Sequence, residues 1–145
     1  MAQKRAFISY VRENKDLVDR LARDLKAVGV KIWLDRDDIA PGMNWKLAIK
    51  EAIAKGAFFI ACFSKELNER EESVMHGELR DAIDMLRNMP PNRVWLIPVF
   101  LNETRIPNHY ISAHEHLADI NAVKLYEDWS VGVGKILQAM NLDDP

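Results

Sequence analysis

Apolar positions along this chain recur with two different periods, and the switch between them marks out the elements. Ala6-Phe-Ile-Ser-Tyr10 is a short β-prone run and reads as a first strand. Beyond Val11-Arg12-Glu13-Asn14 the period becomes helical, with Leu17, Val18, Leu21, Ala22, Leu25 and Val28 on one stripe. Asn14 is placed to cap that helix and Gly29 to end it. Val30–Leu34 reads as the second strand. An acidic loop carrying Asp35, Asp37 and Asp38 then turns at Pro41-Gly42, and a helix restarts at Asn44-Trp45, with Trp45, Ala48, Ile49, Ala52 and Ile53 facing inward. Ala57-Phe-Phe-Ile-Ala-Cys-Phe63 is continuously apolar, as expected of a parallel strand covered on both faces. Ser64 ends it, and Lys65–Glu72 is a charged connection. A third helix carries Val74, Met75, Leu79, Ala82, Ile83 and Leu86, and Met89-Pro-Pro-Asn92 breaks it. Arg93–Leu101 is the fourth strand, where Pro98 removes a donor and predicts a bulge or a partly unpaired position. Ala122–Tyr126 is a weaker fifth strand and Val131–Met140 a closing helix.

Strand and helix thus alternate throughout. The expected fold is α/β, a flavodoxin-like five-stranded parallel sheet of order 2-1-3-4-5 with helices on both faces. Its switch point falls between strands one and three. Ligands of such sheets bind outside the carboxyl ends of the strands, at that point. The loops after Tyr10 and Ser64 would line the crevice, with the Asp35–Asn44 loop beside it.

At 145 residues the chain reads as one domain, spanning 1–145 and able to bury roughly two-thirds of its unfolded surface. The charge is nearly balanced, 20 basic against 22 acidic residues, with no long block of one sign. That argues against nucleic-acid binding by bulk electrostatics. Cys62 is the one cysteine and has no intrachain partner, so it reads as a buried thiol in a reducing compartment. No apolar run approaches the ~20 residues needed to span a bilayer. The expectation is a soluble cytoplasmic protein without membrane contact.

Several chemistries fail on residue type. A phospho-receiver needs an aspartate ending strand three and an acidic pair after strand one; here stand Cys62-Phe63-Ser64 and Tyr10-Val11-Arg12. A flavin-phosphate loop would want Ser, Thr and Gly where Val11–Asn14 lies. Gly132-Val-Gly134-Lys135 lacks the earlier glycine of a P-loop, since position 129 is Trp, and reads as a helix start. His114-Glu115-His116, with His109 nearby, lacks the helical spacing of a zinc protease and reads as a solvated loop, so no metal site is expected. No serine or cysteine sits in a nucleophile elbow.

The order of features is more specific than the fold. Phe7-Ile-Ser-Tyr10 is followed by Gly29-x-x-x-Trp33-Leu-Asp35, then by Ile39-x-Pro41-Gly42-x-x-Trp45. Phe63-Ser64, Gly77-Glu78-Leu79 and Ile97-Pro98-Val99 complete the series. Together these resemble the Toll/interleukin-1 receptor (TIR) domain family, bacterial members most of all, over about residues 5 to 140. The resemblance implies one of two functions. TIR domains of animal receptors and adaptors are self-associating binding modules. Many bacterial and plant members instead cleave the nicotinamide–ribose bond of NAD, some giving cyclic ADP-ribose or its isomers as immune signals.

By that resemblance Glu78 matches the essential glutamate, on the helix after strand three. Tyr10 closes strand one and Arg12 follows it, where Arg12 would meet the dinucleotide phosphates. Ser64 begins the ribose-contacting loop, and Trp33, Asp35 and Trp45 border the cleft. Asp37, Asp38, Ile39, Pro41 and Gly42 form the loop prominent in assembly. One position departs: catalytic members often carry a tryptophan four residues before the glutamate, and Val74 stands there. NAD would be a substrate, with no cofactor. The implied partners are other TIR domains, in assemblies extending to filaments, together with a sensor or effector protein. Each of these residues also has a plainer reading. Glu78 and Arg12 could be surface charges, the tryptophans core packing and Ser64 a strand terminator.

Overall fold

A computed structural model describes residues 4–34, 41–69, 74–86, 94–106 and 120–141, apart from the side chains of 74, 86 and 141. Its strands are β1 (Arg5–Ser9), β2 (Lys31–Trp33), β3 (Phe58–Phe63), β4 (Leu96–Phe100) and β5 (Val123–Lys124). They pair in parallel in the order β2-β1-β3-β4-β5, the order the sequence predicts. Its helices are α1 (Lys15–Ala27), α2 (Trp45–Ala54), α3 (Lys65–Asn68), α4 (Val74–Leu86) and α5 (Trp129–Asn141).

Two apolar clusters sandwich the sheet. On one face Ala6, Ile8, Ile32, Ile60, Cys62 and Val99 meet α1 and α5 through Val18, Leu21, Leu25 and Ile136. On the other, Phe7, Phe59, Ala61 and Phe63 meet α2 and α4 through Ile49, Ile53, Met75 and Leu79. All six residues of β3 are buried, which explains its unbroken apolar sequence. A chain buried on both faces has no solvent side to mark with polar residues.

Helix ends follow local chemistry. Asn44 caps α2 by accepting from Leu47 N at 3.2 Å. Gly29 and Gly56 turn the chain after α1 and α2 at φ 93° and 104°, a region that disfavours any side chain.

Five expectations need correction. Asn14 occupies the cap position of α1 but makes no capping bond, because its side chain is engaged elsewhere. Val28 is 59% exposed, since the helix ends at Ala27 and the stripe ends with it. The Lys65–Glu72 connection contains α3, which Ser64 caps and buried Leu67 anchors. Strand five is only two residues long, a common economy at a sheet edge. Pro98 creates no bulge: pairing with β3 runs continuously from Phe59↔Leu96 to Phe63↔Phe100. Leu101 N bonds Phe63 O, so alternation sends the N–H missing at Pro98 towards β5, whose pairing begins only at Val99.

Candidate functional site

The side chains that could do chemistry gather at the carboxyl ends of β1 and β3, on the face covered by α2 and α4. Alternation along β1 directs Ala6, Ile8 and Tyr10 to the α1/α5 cluster, and Phe7, Ser9 and Val11 to the opposite side. On α4, residue 78 falls on the inward stripe formed by Met75, Leu79 and Ala82. A glutamate there has to enter the interior. Glu78 is 6% exposed, and Ser9 Oγ donates to its Oε1 at 2.7 Å across 69 residues of sequence. Ser9 is itself buried, and its register partner on β3 is Ala61. Burying a carboxylate costs several kcal/mol unless donors meet it. Ser9 is one donor that meets this carboxylate.

The two tryptophans of the sequence reading lie on this same face. Trp45, the first residue of α2, stacks on Phe7 with centroids 6.3 Å apart and planes at 26°. Trp33 is in register with Phe7 and lies under the Arg5 guanidinium at 5.8 Å. Both are partly buried against the apolar cluster. Lys46, next along α2, pairs with Asp81 of α4 at 3.1 Å and ties the start of α2 to the glutamate-bearing helix.

The remaining candidates are placed as follows. Tyr10 packs on the α1/α5 side of the sheet, opposite to Glu78, because it is one residue out of phase with Ser9. Arg12 is exposed, in a 3-10 turn (Arg12–Asn14) that follows β1. Ser64 is fully buried and its hydroxyl is engaged twice, donating to Asn14 Oδ1 at 2.6 Å and accepting from Leu67 N at 3.2 Å. That is the work of a strand terminator and helix cap. Pro41 and Gly42 form an exposed turn leading into α2. Asp35, Asp37, Asp38 and Ile39 lie outside the described residues, as do His109, His114 and His116. Among the described residues no three His, Cys, Asp or Glu side chains group as a metal site, and no helix is long and apolar enough to cross a membrane.

Sequence reasoning missed a polar network at the strand ends. Glu66 Oε1 accepts from Asn14 Nδ2 at 2.8 Å and from Asn102 Nδ2 at 2.9 Å, while Asn102 Oδ1 accepts from Lys65 N. With the Ser64–Asn14 bond, it ties the loops after β1, β3 and β4 together. No signal in the sequence pairs residues so far apart. Ser9 was also missed, though its place two residues from Phe7 puts it on the inward face.

Gly132 and Gly134 lie inside α5 rather than in a phosphate loop. A side chain at Gly132 would come within 2.5 Å of Leu125 Cδ2 and 3.3 Å of Leu125 Cα, so this glycine lets α5 close on β5.

Comparison with known proteins bears on the fold and the family. Among solved structures, a prokaryotic SEFIR domain superposes with a TM-score of 0.60 at 20% identity, covering 96% of this chain and 99% of that one. At that identity the likeness concerns the fold. No curated protein matches the chain in sequence. A family model described as the TIR domain matches residues 6–137. With nearly its whole length so matched, the chain belongs to the TIR domain family.

Proposed function

We propose that this protein is an NAD glycohydrolase, a single TIR domain that releases nicotinamide and leaves ADP-ribose or a cyclic isomer. The observation that supports this most is the placement of Glu78. A carboxylate is buried where the fold positions ligands, against the carboxyl end of β1, with Ser9 donating to it. The chemistry needs little more than that. Nicotinamide in NAD is a pyridinium cation and departs neutral, so no general acid has to protonate it, unlike an ordinary sugar leaving group. What remains is a ribosyl oxocarbenium ion. An adjacent carboxylate in a partly dry cleft stabilises it, an effect worth about 3–4 kcal/mol for a well-placed group. Trp33 and Trp45 offer aromatic surface on the same side of the sheet, and Arg12 an exposed cation for the phosphates.

At 6% exposure Glu78 leaves little access in a lone protomer. The proposal therefore includes activation by assembly, with the 35–44 loop of one copy completing the site of the next. Such head-to-tail contacts do not close on themselves and extend into filaments. NAD and further TIR domains are the partners this reading names, with a sensor or effector protein supplying the trigger.

One observation favours a rival reading, a non-catalytic docking module. Met43 and Leu47 are 53% and 55% exposed beside the Pro41-Gly42 turn, an apolar surface suited to TIR–TIR contact with or without turnover. Incubating concentrated protein with NAD and measuring free nicotinamide separates the two. Release supports the enzyme. Assembly by sedimentation with neither NAD binding nor release leaves the docking module, and NAD binding without release a nucleotide sensor.

A further inference from the structure

Ser9 is more than a strand residue. The inward face of β1 and β3 is built from Phe7, Phe59 and Phe63, all large and buried, with buried Val11 just beyond the end of β1. Ser9 and Ala61 interrupt it. They are paired in register across the two strands, so their small side chains coincide and leave a notch in an otherwise bulky surface. The Glu78 carboxylate reaches β1 at this point, where Ser9 Oγ bonds its Oε1 at 2.7 Å with both groups buried. A glutamate side chain has three rotatable bonds and loses substantial rotamer freedom when fixed. A charge-assisted hydrogen bond from a donor on a rigid central strand fixes it without any movement of the backbone.

We propose that Ser9 is the positioning residue for Glu78: the Ser9–Ala61 notch seats the carboxylate, and the Ser9 hydroxyl holds one oxygen so that the group is oriented before substrate arrives. This deepens the NAD-cleaving reading and rests on it for its kinetic consequences. The seating of Glu78 itself does not depend on that reading. Pre-orientation lowers the barrier only if it is already in place in the ground state. Its loss should therefore appear in kcat and leave KM nearly unchanged.

The experiment compares wild type with Ser9→Ala and Ser9→Thr, with nicotinamide release measured across NAD concentrations and a crystal structure of Ser9→Ala. Ser9→Ala is expected to fold, since Ala6 and Ala61 already occupy this sheet. It should lose about tenfold or more in kcat, the size expected for one hydrogen bond to a charged group, with KM within about twofold. Ser9→Thr, which keeps the hydroxyl, should recover most of the rate. In the crystal, Glu78 should leave its single orientation. Wild-type kcat in Ser9→Ala, or a proportional loss in KM that Ser9→Thr does not repair, would overturn the positioning role. An unchanged Glu78 rotamer in Ser9→Ala overturns it as well, and this readout holds even if wild type releases no nicotinamide, a result that would count against the glycohydrolase reading alone.

Discussion

Replacing Glu78 with glutamine keeps the shape of the side chain and removes its charge. A residue buried for function and not for folding should then reveal itself as a stability cost. Glu78→Gln is expected to unfold at equal or higher urea concentration than wild type, by up to about 1 kcal/mol, because the amide still bonds Ser9 without burying a charge. A loss of more than that would make Glu78 a structural residue. Cys62 gives a second test at this scale. Burial raises its thiol from 9.0 to about 12. The folded state therefore holds the proton more tightly than the unfolded chain. The associated stability is complete below 9.0 and is lost as pH rises towards about 12, at up to about 1.4 kcal/mol per pH unit. The alkaline fall in stability should be shallower in Cys62→Ala, measured by denaturant titration between pH 9 and 11. The native thiol should also resist modification at neutral pH. Individual residues were unevenly legible. Glu78 is named by its match to the family motif, and the structure adds that it is buried on the inward stripe of α4; Tyr10, named by the same match, packs on the opposite side of the sheet from Ser9 and Glu78. Adjacent residues on a strand face opposite ways, and a one-residue error in phase moves a side chain through the sheet.

Elements were easier to read than the contacts between them. Continuous apolar runs and glycine-terminated amphipathic stretches place β1, β3, α1 and α2, because each pattern is a local consequence of which face is covered. The short helix α3 escaped notice because it is a single turn in a charged segment, held by one cap and by bonds to a distant loop. Ser64→Ala removes that cap and the bond to Asn14. It should cost about 1–2 kcal/mol in urea unfolding, while Arg12→Ala, exposed on the neighbouring turn, should cost less than about 0.5. At the opposite edge, Gly132→Ala puts a methyl group against Leu125. The close approach involves backbone as well as side chain, so about 1–3 kcal/mol of destabilisation is expected, and Gly134→Ala, with open space around it, should be neutral or stabilising. Equal effects at the two glycines would show that α5 does not need to lie so close to β5.

For the whole molecule, the fold sets where the proposed site lies. The topological switch between β1 and β3 brings the end of strand one beneath α4, and the buried carboxylate lies there. Activation by assembly predicts that nicotinamide release per protomer rises with protein concentration. It also predicts that Met43→Asp or Leu47→Asp lowers this rise without changing the urea midpoint, since both side chains are exposed in the protomer. A rate per protomer that is flat over a hundredfold range of concentration would remove assembly from the proposal. The most direct test of the central claim is nicotinamide release from NAD by wild type and Glu78→Gln at the same high protein concentration, with both proteins shown to be folded. The account predicts release by wild type and a rate at least about a hundredfold lower in the variant. Equal rates in the two proteins would contradict it.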